Sequence, residues 1–142
     1  AKQWLDTLRA HVPVLVVPGN HDVAWWWKPV GVGVESPLLA GYRKWISPDL
    51  EPTLTLPGVT MVGLNSSHGV RTYTLTTRAR DLSVVGCIRD EQWERARAAF
   101  AAAPADHLKV LVFHHNLLRG DLSRRWGLVN RGEGIVQALG TG

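Results

Sequence analysis

The sequence predicts a mixed α/β fold. Two unbroken apolar runs of strand length, residues 13–17 and 109–113, lack the alternation of half-exposed strands. Such runs suit central strands covered on both faces. Each follows a helical segment and ends abruptly in a polar cluster. A third observation is Pro57-Gly58, a strong turn pair between residues 53–56 and 59–64, which predicts two antiparallel strands joined by a tight turn.

The elements follow in order. The opening residues read as helix, with Trp4, Leu5 and Leu8 on one side. Residues 13–17 are the first central strand. Ser36-Pro37 is a helix start, serine as N-cap and proline at the first helical position. Leu38, Tyr42, Trp45 and Ile46 keep helical spacing until Ser47-Pro48 stops it. Leu82 to Ile88 is a further strand or an extended loop. Asp90 to Ala103 is a helix with Trp93, Ala96 and Phe100 as its buried stripe, ended at Pro104. Residues 132–140 read as a short helix with a glycine stop. No repeat, low-complexity tract or linker interrupts the chain, so residues 1–142 are one domain or part of one.

Composition narrows the function classes. With 142 residues, 45% apolar and 20% charged, the chain is ordinary globular material able to bury a sizeable core. Its apolar stretches run to about eight residues, far short of the ~20 that span a bilayer. The single cysteine, Cys87, excludes an internal disulfide and a cysteine-based zinc site. The net charge of +4 is arginine-rich, which suits anionic partners such as phosphate; a basic surface without a dedicated ligand is the plainer reading.

Two polar clusters carry the chemistry. Gly19-Asn20-His21-Asp22 directly follows the first apolar run. An asparagine oxygen is a hard neutral metal ligand, and an imidazole exchanges protons near neutrality. A carboxylate one residue later is placed to hydrogen-bond that ring and hold it charged. His114-His115-Asn116 follows the second run. For strands covered by helices, functional residues lie beyond the carboxyl ends, and both clusters sit there. Read singly, each is equally a turn with capping residues; together they point to a metal site.

The blocks resemble those of the calcineurin-like metallophosphoesterases. Val16-Val17-Pro18-Gly19-Asn20-His21-Asp22 is similar to the family's GNHD block, and Val110-Leu111-Val112-Phe113-His114-His115 to its strand-then-HH block. Gly63-Leu64-Asn65-Ser66-Ser67 and Gly86-Cys87-Ile88-Arg89-Asp90-Glu91-Gln92-Trp93 fit two weaker blocks in the same order. The resemblance covers residues 12 to about 118. It implies a two-sheet α/β sandwich flanked by helices, partly represented in this chain, with residues 13–17 and 109–113 side by side or nearly so.

The resemblance also implies a chemistry. Two divalent metals (manganese, iron or zinc) lie about 3.5 Å apart and bridge a hydroxide that attacks phosphorus in line. Asn20 and His114 are then metal ligands. His21 protonates the leaving alkoxide of a phosphomonoester or phosphodiester, with Asp22 holding its imidazolium. His115 supports the site from behind. The family's Asp-x-His, Gly-Asp-x-x-Asp and Gly-His-x-His blocks are not in this sequence, and two ligands cannot close a dinuclear site. The expectation is therefore a partial domain of a larger phosphoric ester hydrolase, inactive by itself. The chain opens without methionine or a signal pattern, and both ends read as cut from something longer.

Two further classes stand beside the enzyme. One is a degenerate, non-catalytic binding module on the same fold. The other is a nucleic-acid binder, resting on charge and on Trp25-Trp26-Trp27, without the interleaved basic and aromatic stripe that class calls for. Those tryptophans read as loop packing, or as an aromatic wall over the crevice. Arg119, Arg124, Arg125 and Arg131 read as a solvated basic loop, or as a rim that draws in a phosphate ester. His11, His68 and His107 read as surface or packing residues. The expected location is cytoplasmic, with no membrane segment; the sequence leaves oligomeric state open.

Overall fold

In the computed structural model, residues 2–23, 38–69 and 85–117 are described. Strands β1 (Thr53–Leu56) and β2 (Val59–Gly63) form the predicted hairpin, pairing antiparallel with Thr53 opposite Val62 and Leu56 opposite Val59. Gly58 closes the turn at φ 78°, a left-handed conformation that glycine adopts without a Cβ penalty. Strand β3 (Leu108–Val112) lies parallel to β2 on its other side, giving a three-stranded mixed sheet in the order β1-β2-β3. A parallel pair needs a long crossover, and α3 (Asp90–Ala102) lies within that connection.

The α3 stripe is as the spacing predicts. Ala96 is fully buried with Val62, Leu64 and Ile88, and Trp93, Phe100, Leu111 and Phe113 pack around them. The N-terminus of α3 is tied down by Gln92, whose side-chain oxygen accepts from the Arg89 amide at 2.8 Å. This is the reach-back half of a capping box. A second cluster gathers Val23, Leu38, Leu39, Tyr42 and Leu50 around α2 (Ala40–Trp45), with Val16 and Ile46 at its edge. No described helix is long and apolar enough to cross a membrane.

Two expectations differ from the structure. Residues 13–17 form no strand, although Val14 to Val17 are half-buried. A strand exists through its backbone ladder, and this run meets the sheet through side chains instead. Val17 fills the space above Gly63, where a Cβ would come within 2.9 Å of its methyl. The helix α1 (Lys2–Arg9) forms as expected, with Leu5 and Leu8 half-buried and Trp4 66% exposed. Its tie to the rest is Arg9, which donates to the Ile46 carbonyl at 2.9 Å. Trp45 faces solvent rather than the core, its ring under the Lys44 ammonium at 4.7 Å. Residues 85–89 are extended and joined by one isolated bridge at Gly86. Ser36-Pro37, the tryptophan triplet, Arg71, Arg78, Arg80, the loop arginines after 118 and residues 132–140 lie outside the described residues.

Candidate functional site

Where the first apolar run ends, the chain folds into a single 3-10 turn over Asn20–Asp22. Two reciprocal hydrogen bonds close it. The Gly19 amide donates to Asp22 Oδ2 at 2.8 Å, and the Asp22 amide donates to the Gly19 carbonyl at 3.0 Å. Val23, next along, is buried in the α2 cluster and pins the turn. The turn displays Asn20 half-buried and His21 exposed.

The second polar cluster arrives from β3. His114 Nε2 lies 3.0 Å from Asn20 Oδ1, joining residues 94 apart in sequence. An amide oxygen only accepts, so Nε2 carries the proton in this contact. The imidazole also lies flat against Gly19, where a Cβ would sit 3.1 Å from two ring atoms. Glycine there is a matter of close approach.

His115 is buried, 5% exposed, with Nδ1 2.8 Å from Ser66 Oγ. Its ring meets that of His114 edge-on, 5.0 Å between centroids at 84°. The Ser66 segment is itself a buried polar shelf. Asn65, Ser66, Ser67 and His68 are at most 2% exposed. Ser67 donates to the Pro18 carbonyl at 3.2 Å, holding the approach to the 3-10 turn against the shelf. His68 Nε2 meets the Cys87 carbonyl at 3.1 Å, and His107 Nδ1 meets Thr60 Oγ1 at 3.0 Å, so both serve packing. His11 bonds the Thr7 carbonyl of its own helix end.

Of the predicted site residues, the structure joins Asn20 to His114 and keeps His21 in the same turn. Asp22 differs: its carboxylate caps the Gly19 amide, and among the described residues no hydrogen bond links it to the His21 ring. A carboxylate at the third position of a tight turn reaches the backbone N–H before the turn, and this local bond wins. Asp22 also faces Tyr42, whose phenol is pushed up to about 12, by burial first and by the Asp22 charge second.

Sequence reading gave no role to Ser66, Gly86, Glu51 or Gln92. Glu51 accepts from the Asn65 amide at 3.2 Å and from the Gln92 side chain, and pairs with Arg95 at 3.3 Å. Ser66, Gly86 and Gln92 fall in the two weaker blocks of the resemblance, which do not say what each contacts, and nothing in residue type or spacing flags Glu51. A cavity of about 510 Å³ lies beside them, lined by Arg43, Asp49, Leu50, Glu51, Asn65 and Arg89, and none of the four predicted site residues lines it.

The 3.0 Å separation of Asn20 and His114 is that of their hydrogen bond, and the Nε2 proton would have to leave before that nitrogen could ligate a metal. An amide oxygen with an imidazole nitrogen suits several divalent metals. Among the described residues no three His, Cys, Asp or Glu side chains converge as a metal set. Comparison with known proteins gives no match to a family profile, a curated protein or a solved structure.

Proposed function

We propose that this chain contributes part of a two-metal site to a hydrolase of phosphomonoesters or phosphodiesters, a calcineurin-like metallophosphoesterase. Asn20 and His114 are its donors here, and the remaining ligands come from blocks outside these 142 residues. The observation that carries the reading is the 3.0 Å approach of Asn20 Oδ1 to His114 Nε2. The two residues were singled out by motifs at the ends of different apolar runs, and the fold closes 94 positions of chain to bring those two atoms together.

When bound, manganese, iron or zinc supplies Lewis acidity toward phosphoryl oxygens and lowers the pKa of water. The chain's own part is positional and protic. The reciprocal bonds between Gly19 and Asp22 hold the turn rigid. Rigidity keeps Asn20 facing His114 and leaves the exposed His21 ring free to meet substrate. His21 donates a proton to the departing alkoxide, the task for which an imidazole is suited near neutral pH. Asp22 serves this by shaping the turn. The metallophosphoesterase sandwich, of which the mixed sheet with α3 is the described portion, belongs to the same proposal.

The test is hydrolysis of an aryl phosphodiester and an aryl phosphomonoester, with and without Mn²⁺, by the longest protein that carries this chain. Manganese-dependent turnover that falls about 10²- to 10⁴-fold with His21→Ala is expected. Turnover indifferent to His21→Ala and to Mn²⁺ would overturn the metal and His21 assignments, and no turnover in a protein holding all the family's blocks would leave a non-catalytic binding module as the better reading.

A further inference from the structure

Behind the Asn20–His114 pair stands a continuous set of contacts that the sequence motifs do not assign. Ser66 is fully buried, its carbonyl accepting from the Cys87 amide at 3.1 Å, so its hydroxyl is a fixed post. That hydroxyl lies 2.8 Å from His115 Nδ1. Gly86 lies against the same ring and leaves no room for any side chain. A Cβ there would sit 2.3 Å from His115 Cγ and 2.5 Å from Nδ1. The His115 imidazole is therefore hydrogen-bonded at Nδ1 and packed closely on bare backbone.

His114 and His115 lie in a bend just past β3, and their rings meet edge-on with centroids 5.0 Å apart. A His115 ring held in place by Ser66 therefore gives the His114 ring a fixed surface to pack on. His114 in turn meets Asn20 at 3.0 Å. We infer that Ser66 is a positioning residue for the candidate metal pair, acting through His115, with Gly86 as the contact that keeps His115 on its hydroxyl. An alanine at 66 would fit the same space; what it would lose is the bond that orients the ring.

The inference rests on the metal reading for its consequence, but its geometry is tested without metal. In the 142-residue chain, long-range proton–nitrogen spectra of the histidine rings report tautomer, and a cross-peak between the Asn20 amide and the His114 ring reports their contact. We expect one His115 tautomer and a clear cross-peak. Ser66→Ala, its backbone amide spectrum otherwise retained, should cut that cross-peak several-fold. An unchanged cross-peak in folded Ser66→Ala would overturn the inference. So would averaged His115 ring nitrogens in the unmodified chain, a readout that stands if the variant does not fold. With Mn²⁺ added, broadening of the His114 ring should need about 10- to 100-fold more metal in Ser66→Ala. Absence of broadening in the unmodified chain would move the metal arm to the longer protein that carries the remaining ligands, while the metal-free cross-peak still decides the role of Ser66.

Discussion

Tyr42 is buried with a hydroxyl that has no hydrogen-bond partner among the described residues, and its neutral form is favoured by burial and by Asp22 against the weaker pull of Arg9. Below pH 10 the phenol is neutral in folded and unfolded chains alike, and this contribution to stability is fully present. From pH 10 to about 12 the unfolded chain ionises first, so stability falls, by about 2 to 3 kcal/mol across the window. Absorbance titration should place the Tyr42 midpoint near 12, and Tyr42→Phe should remove that part of the alkaline loss. A midpoint at the ordinary tyrosine value would contradict the burial. At this scale the sequence brought out Asn20 and His114, because each opens a polar cluster directly after an apolar run, although only the second run is a strand. It did not reveal that Asp22 turns to Gly19, since a local backbone bond and a ring contact are equally compatible with one residue of spacing. Gly86→Ala should destabilise by about 1 to 3 kcal/mol in urea, as the added methyl overlaps the His115 ring. A neutral effect would mean the ring has somewhere else to go.

Among the elements, the hairpin and α3 were legible because each is set by local chemistry: a Pro57-Gly58 turn in one case, a 3.6-residue apolar period in the other. The run at 13–17 was not, because strand formation depends on a backbone neighbour that composition does not supply. Likewise the apolar side of α1 follows from spacing, whereas its burial depends on what packs there. The join between α3 and the sheet has both apolar and polar parts, and each has a measurable weight. Leu64→Ala empties the centre of the cluster formed by Val62, Ile88 and Ala96, and should cost about 2 to 5 kcal/mol in denaturant unfolding. Glu51→Ala strips an acceptor from the Asn65 amide and from Gln92 and removes the partner of Arg95, for about 2 to 3 kcal/mol. A loss below 0.5 kcal/mol at Glu51 would show that water replaces it freely.

For the whole molecule, the informative event is convergence. The hairpin and β3 set one wall, α3 braces it, and the α2 cluster holds the 3-10 turn against the other side, so two polar clusters from distant sequence meet. That meeting is what the motifs predicted and what neither motif alone could specify. Asn65, Ser66 and Ser67 stood in a weak block of the resemblance, but their burial as a shelf beneath the turn depends on partners far along the chain that spacing does not show. The claim that Asn20 and His114 form a metal-binding corner is tested most directly by titrating the 142-residue chain with Mn²⁺ while following the Asn20 amide and His114 ring signals. Selective broadening of those two groups, lost in both Asn20→Ala and His114→Ala, is the predicted result. Broadening elsewhere only, or broadening that survives both substitutions, would contradict it.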